Sequence, residues 1–185
     1  MSTLGVIVCS TRPGRVGLPI AQWFLEHAKA HGKFAVELVD LREIALPLLD
    51  EPKHPRLGDY QHEHTKAWSR RVSALDAFVF VTPEYNYGSP PALVNALHYL
   101  YKEWNYKAAG FVSYGGLSGG TRSVQMTKQF LTTLRVMPLP EAVNVAFFNT
   151  LMENGAFRGS EALVKSSVAM LDELHRWTEA LRALR

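Results

Sequence analysis

The sequence predicts an α/β domain built on a five-stranded parallel sheet, and three observations carry that prediction. Short β-branched apolar runs recur along the 185 residues, at 4–9, 35–40, 77–82, 108–113 and 142–147. Each is followed by a polar or glycine-rich break and then by a segment with helical spacing, the alternation that a parallel sheet with crossover helices requires. The runs are apolar almost without interruption, as strands covered on both faces are.

The elements follow in order. Helical spacing occupies 18–31, and Gly32 supplies its C-terminal stop. A second helix is expected over 65–75 and a third over 91–101, where Pro90-Pro91 stands at a place a helix can begin. A fourth covers 121–134. Ser160 is placed to cap a last helix running toward Leu184, along which Leu163, Val164, Val168, Leu171, Leu174, Trp177 and Leu181 repeat on one face that should pack on the sheet. The stretch 41–64 has no clean period and contains Pro47, Pro52 and Pro55, so it reads as a long surface connection. Connections of that length are often functional, and a lid, a dimer-contacting arm and an ordinary meander all fit.

With 47% hydrophobic residues the chain can bury a core of its own as a single domain, 1–185. Its longest apolar stretches are of strand length, far below the roughly 20 residues of a membrane helix. The N-terminus shows neither a basic start nor a signal-peptide apolar region, so a cytoplasmic location is the expectation. The one cysteine, Cys9, ends an apolar run, where a buried thiol is ordinary packing. A net charge of +3 suits an anionic small ligand. Lys and Arg are scattered rather than striped, which argues against nucleic acid as a partner.

In an open parallel sheet, ligands gather beyond the carboxyl ends of the strands, near the point where strand order reverses. The three loops placed there are all unusual. After the first strand comes Ser10-Thr11-Arg12-Pro13-Gly14-Arg15-Val16-Gly17. Hydroxyls, two guanidinium groups and the free N–H groups of a helix start suit a phosphate dianion. The Gly-Lys-Ser/Thr ending of a nucleoside-triphosphate loop is missing, as is the first glycine of the dinucleotide pattern, so a terminal phosphate fits better than a pyrophosphate. By itself the loop reads equally well as a solvated turn with two surface arginines.

After the third strand comes Thr82-Pro83-Glu84-Tyr85-Asn86-Tyr87-Gly88-Ser89-Pro90, a stiff start with an aromatic surface and backbone amides. A flavin ring needs a flat wall and backbone donors of this kind. After the fourth comes Ser113-Tyr114-Gly115-Gly116-Leu117-Ser118-Gly119-Gly120, where glycines let backbone approach a ligand plane. Taken together, the loops point to phosphate at one end and a ring at the other.

Ser10-Thr11-Arg12, the Pro83-Glu84-Tyr85-Asn86 turn with Leu93, Asn95 and Ala96 behind it, and Ser113-Tyr114-Gly115-Gly116 closely resemble the NADPH-dependent FMN reductase family over most of the chain. The resemblance implies a flavodoxin-like three-layer sandwich of strand order 2-1-3-4-5. It implies FMN as cofactor and NADPH or NADH as electron donor. Ser10, Arg12, Arg15, Val16 and Gly17 would then surround the FMN phosphate. Pro83, Glu84, Tyr85, Asn86, Ser113, Gly115 and Gly116 would line the ring. Acceptors in such a family are quinones, azo dyes, metal oxyanions or free flavin, and a homodimer or homotetramer is expected. The chain departs from the family at Arg15, where serine is frequent, and at Val94 and His98, where Lys and Asp are common. The chemistry demands no protein acid or base, so no catalytic side chain is assigned.

Two other classes compete. Gly116-Leu117-Ser118-Gly119-Gly120 matches the nucleophile elbow of a serine hydrolase, but Ser118 lies several residues beyond its strand, and the only downstream histidine, His175, falls inside the last helix. A flavodoxin-type electron carrier would be acidic, whereas this chain is basic. His54, His62 and His64 crowd one connection without the cysteines or spaced carboxylates of a metal set, and read as surface histidines.

Overall fold

The computed structural model describes all residues, Met1–Arg185. Five parallel strands form the sheet in the order β2-β1-β3-β4-β5. They are β1 (Ser2–Val8), β2 (Phe34–Asp40), β3 (Ala77–Pro83), β4 (Ala108–Tyr114) and β5 (Met137–Val145). The helices are α1 (Gly17–His31), a short α2 (Leu41–Ile44), α3 (Glu63–Ser73), α4 (Pro91–His98), α5 (Thr121–Thr133) and α6 (Glu161–Leu181). A hairpin of β6 (Met152–Glu153) and β7 (Ala156–Phe157) precedes α6.

Alternation along the strands divides the core in two. Leu4, Val6, Val8, Val79, Val81 and Val112 face α1 and α6, while Ile7, Phe78, Phe80 and Phe111 face α3, α4 and α5. The central strands β1, β3 and β4 are buried on both sides, as their uninterrupted apolarity requires. Gly32 ends α1 in a left-handed conformation, and the Ser160 hydroxyl accepts from the Leu163 N–H to cap α6. Cys9 is fully enclosed, and burial, helped by the nearby Asp40 charge, pushes its thiol well above the ordinary value.

Several boundaries shift by a residue or two, Val168 and Trp177 of α6 are exposed rather than packed, and two elements differ more from those the sequence predicts. β5 begins at Met137 rather than 142 and ends at Val145, because Pro138 and Pro140 occupy an edge strand, where a missing N–H costs no ladder bond. Phe147, expected inside this strand, instead takes a left-handed φ of 47° and turns the chain out of the sheet. The third long helix stops at His98 rather than 101, and a 3-10 turn, Lys102–Trp104, follows.

The connection 41–64 is pinned rather than loose. Asn95 on α4 accepts from the Leu49 N–H at 3.0 Å and donates to the Pro47 carbonyl at 2.7 Å. The Tyr99 hydroxyl reaches Asp50 Oδ1 at 2.9 Å. Glu51 accepts from the N–H groups of Gln61 and His62 at the start of α3, at 2.8 and 3.0 Å. His64 meets Asp50 at 2.9 Å and stacks on His62, so these histidines are held within the connection's own network.

Candidate functional site

Parallel strands bring the loops after β1, β3, β4 and β5 to one edge of the sheet. All four contribute to a cavity of about 210 Å³ lined by Arg12, Val16, Tyr85, Tyr114, Gly116 and Phe148 among others. It opens onto a shallower basin of about 570 Å³ that shares Arg12, Glu84 and Tyr85 and adds Asn86 and Pro91. A larger cleft, about 610 Å³, lies elsewhere, between α1 and the β6–β7 hairpin, and contains none of the candidate site residues.

The loop after β1 leads into α1 without a capping side chain and without an acidic residue in the first turn. The backbone N–H groups of Thr11, Arg12, Val16 and Gly17 have no acceptor within the protein. Gly17 is buried, and a Cβ there would stand 2.5 Å from the Tyr114 hydroxyl and 2.6 Å from Ser10 Oγ. Tyr114 and Ser10 are themselves hydrogen-bonded at 3.1 Å, which fastens the loop after β1 to the end of β4. A set of unpartnered donors at a helix start, part of it inside the protein, is an anion cradle by its chemistry.

The two arginines of this loop behave differently. Arg12 is exposed and borders both the cavity and the basin. Arg15, expected to hold the phosphate, also borders the cavity, but its guanidinium pairs with the end of β2. Its two terminal nitrogens contact the Asp40 carboxylate at 2.5 Å each, and Nη1 also donates to the Ser10 carbonyl at 2.7 Å. Sequence reasoning missed this pairing, since Asp40 lies 25 residues away on the neighbouring strand.

In the loop after β3, Tyr85 and Gly88 exchange backbone hydrogen bonds at 3.0 and 2.9 Å, with Asn86 and Tyr87 both at positive φ. That is the geometry of a two-residue hairpin turn, and it projects Asn86 outward. Glu84 accepts from Ser118 Oγ at 2.9 Å, from the Arg122 N–H at 3.1 Å and from Arg122 Nε at 2.7 Å. Burial alone would raise its carboxyl, but the bonds from Arg122 and Ser118 outweigh it and hold the group below the ordinary carboxylate range. The Arg122 guanidinium also lies 3.7 Å from the centre of the Tyr87 ring. Glu84 is thus a strut joining the loop after β3 to the start of α5. Ser118 is engaged in that strut, and His175 packs on Phe34 at the opposite end of the sheet, so no nucleophile and base meet here.

The glycines of the loop after β4 divide by role. A Cβ on Gly120, at φ 84°, would stand 2.8 Å from the Tyr114 nitrogen and 2.9 Å from its oxygen, so the loop could not close. A Cβ on Gly116 would meet nothing, and this glycine borders the cavity. Ser113, expected at the ring, is buried beneath the loop instead, its hydroxyl 2.7 Å from the Gly119 carbonyl and 3.0 Å from Asn144 Oδ1.

Two aromatic wall residues are not announced by the sequence. Tyr114, which the sequence places in the loop, ends β4 instead; its ring lines the cavity, and burial pushes its phenol well above the ordinary value. Phe148 meets it edge-on, with centroids 5.8 Å apart, after the turn at Phe147. The position of this residue just beyond a fifth strand was the available signal.

The sequence profile described as NADPH-dependent FMN reductase matches residues 2–150. The chain is 46% identical over 123 residues to an NAD(P)H-dependent FMN reductase of Schizosaccharomyces pombe, a match spanning 65% of this chain and 62% of that protein. It is 38% identical over 144 residues to an NAD(P)H-dependent FMN reductase of Saccharomyces cerevisiae, spanning 72% and 75%. Among solved structures, the flavoenzyme NAD(P)H:(acceptor) oxidoreductase FerB from Paracoccus denitrificans superposes with a TM-score of 0.77 at 22% identity, covering 97% of this chain and 98% of that one, a likeness of fold.

Proposed function

The chain belongs to the NADPH-dependent FMN reductase family, and on that premise we propose that it carries electrons from NAD(P)H through bound FMN to a small acceptor. What supports the reading most is the convergence at one sheet edge of unpartnered N–H groups beside Arg12 with a cavity walled by Tyr85, Tyr114 and Phe148. Those two halves match an anionic tail and a flat ring.

In this reading the N–H groups of Thr11, Arg12, Val16 and Gly17 and the Arg12 guanidinium hold the phosphate, with Ser10 beside them. Arg15 shapes the loop by gripping Asp40. Pro83, Tyr85, Asn86, Gly115 and Gly116 border the ring, and Glu84 fixes the spacing of the two loops that do so. FMN, when bound, accepts hydride from the nicotinamide and returns electrons to the acceptor, so the protein's work is binding, orientation and exclusion of water. Acceptors of the class are quinones, azo compounds, metal oxyanions or free flavin.

The chain acts as one domain, in the cytoplasm, as a homodimer or homotetramer. No helix is long and apolar enough to cross a membrane. The test is the visible spectrum of the purified protein before and after anaerobic addition of NADPH. A flavin spectrum that bleaches is expected; a colourless protein that takes up no added FMN overturns the reading. Light scattering on the eluted peak reads the oligomer.

A further inference from the structure

Four arginines stand along the carboxyl edge of the sheet, and two have their charge matched within the fold. Arg15 is bound to Asp40 and Arg122 to Glu84. Arg12 and Arg42 are exposed, and neither takes part in a side-chain hydrogen bond or ion pair. Arg12 borders the cavity assigned above to FMN. Arg42 borders a separate hollow of about 340 Å³, whose wall also includes Thr11, Leu41, Leu46, Ala92 and Asn95.

This hollow lies next to the flavin basin. Arg12 and Pro91 line the basin, and their chain neighbours Thr11 and Ala92 line the hollow. Basin and hollow thus stand side by side, between the cavity wall at Tyr85 and α2, on either side of the start of α4. The floor of the hollow is apolar, built by Leu41, Leu46 and Ala92, and its rim carries one unmatched cation and one hydroxyl, those of Arg42 and Thr11. The carboxylate nearest to Arg42 in sequence on the strand side, Asp40, already receives Arg15 and the backbone N–H of Arg42 itself.

From this arrangement we infer that the hollow receives the adenosine end of the electron donor and that Arg42 binds the ribose 2′-phosphate, which makes the donor NADPH rather than NADH. The inference rests on the oxidoreductase reading above. A planar base fits the apolar floor, and a dianion on its ribose meets a guanidinium that nothing else in the fold occupies. Arg15, the other arginine of this neighbourhood, is disqualified by its bond to Asp40.

The test measures two things on wild type, Arg42→Ala and Arg42→Lys. The first is the ratio of kcat/KM for NADPH to that for NADH in the FMN-loaded protein. The second is the affinity for 2′,5′-ADP relative to 5′-ADP, by calorimetry and without turnover. Arg42→Ala should lower both ratios roughly ten- to hundredfold, the size of one lost charged hydrogen bond. Arg42→Lys should recover part of each. A wild type without preference for the 2′-phosphate, or an Arg42→Ala protein that keeps the wild-type ratios, overturns the subsite while FMN uptake and donor oxidation leave the underlying reading intact. A protein that takes up no FMN overturns that reading, and the calorimetric ratio still decides on Arg42.

Discussion

Arg15 grips Asp40 through both terminal nitrogens, each at 2.5 Å, and the two side chains are only 7% and 11% exposed. The pair ties the loop after β1 to the last residue of β2. Removing one partner strands the other charge away from water, so Arg15→Ala should cost about 3 kcal/mol of stability, and Asp40→Ala a similar amount. The double variant should lose less than the sum. Urea unfolding of the three proteins reads the difference, and additive losses would show that the pair does not act as a unit.

Arg12 should behave in the opposite way. It is exposed and unpaired, so Arg12→Ala should leave the urea midpoint where it is. FMN affinity should fall by roughly 1.5–3 kcal/mol, the loss of one charged hydrogen bond to phosphate. Quenching of flavin fluorescence on titration measures it, and an unchanged dissociation constant would remove Arg12 from the cradle.

Gly120 and Gly116 offer a matched pair in one loop. Gly120→Ala places a methyl against the Tyr114 backbone at a left-handed φ, and neither obstacle can swing aside. A loss of at least about 2 kcal/mol is expected. Gly116→Ala adds a methyl in open space at the cavity border, so thermal stability should hold while flavin binding weakens. Thermal melts with and without FMN separate the two effects.

Lys107 predicts a pH response far from the candidate site. Its Nζ is buried, donates to the Val72 carbonyl at 2.8 Å, and its pKa is pushed down by burial, then by the Arg185 charge, from 10.5 to about 8. Below pH 8 the ammonium is charged in folded and unfolded chains alike, and its burial weighs against the fold. Between about 8 and 10.5 the unfolded chain keeps a proton that the folded chain has released, so stability rises with pH, by about 3 kcal/mol over the full window. Lys107→Met should flatten that rise in urea titrations at stepped pH, and an unaltered slope would count against the buried ammonium as its source.

The parts of the fold legible in the sequence were those governed by local pattern. Runs such as Phe78-Val79-Phe80-Val81 announce a central strand because both faces are covered, and Ser160 and Gly32 mark helix ends through backbone chemistry that depends on a few neighbours. The start of β5 was hidden because Pro138 and Pro140 weaken a strand signal everywhere except at an edge, and edge position is a property of the whole sheet. At the candidate site the loops were legible and the partnerships were not. Arg15 and Glu84 carry the right charges for a ligand, yet their partners, Asp40 and Arg122, come from other elements. Ser113 looked available for the same reason, since nothing local reveals that Asn144 of β5 stands beside it. Phe148 stays hidden because the apolar run 142–147 continues two residues past the end of β5 at Val145.

The two prolines of β5 also bear on how copies of this chain could meet. A sheet grows sideways when a strand from another chain matches the bare N–H and C=O groups of its border, and a border lacking N–H groups at Pro138 and Pro140 cannot be matched in full. The pairing of β4 with β5 also shifts register between Ala109 and Phe111, so this flank is not a regular ladder. Strand-by-strand stacking on this flank is thereby discouraged at the first half of β5.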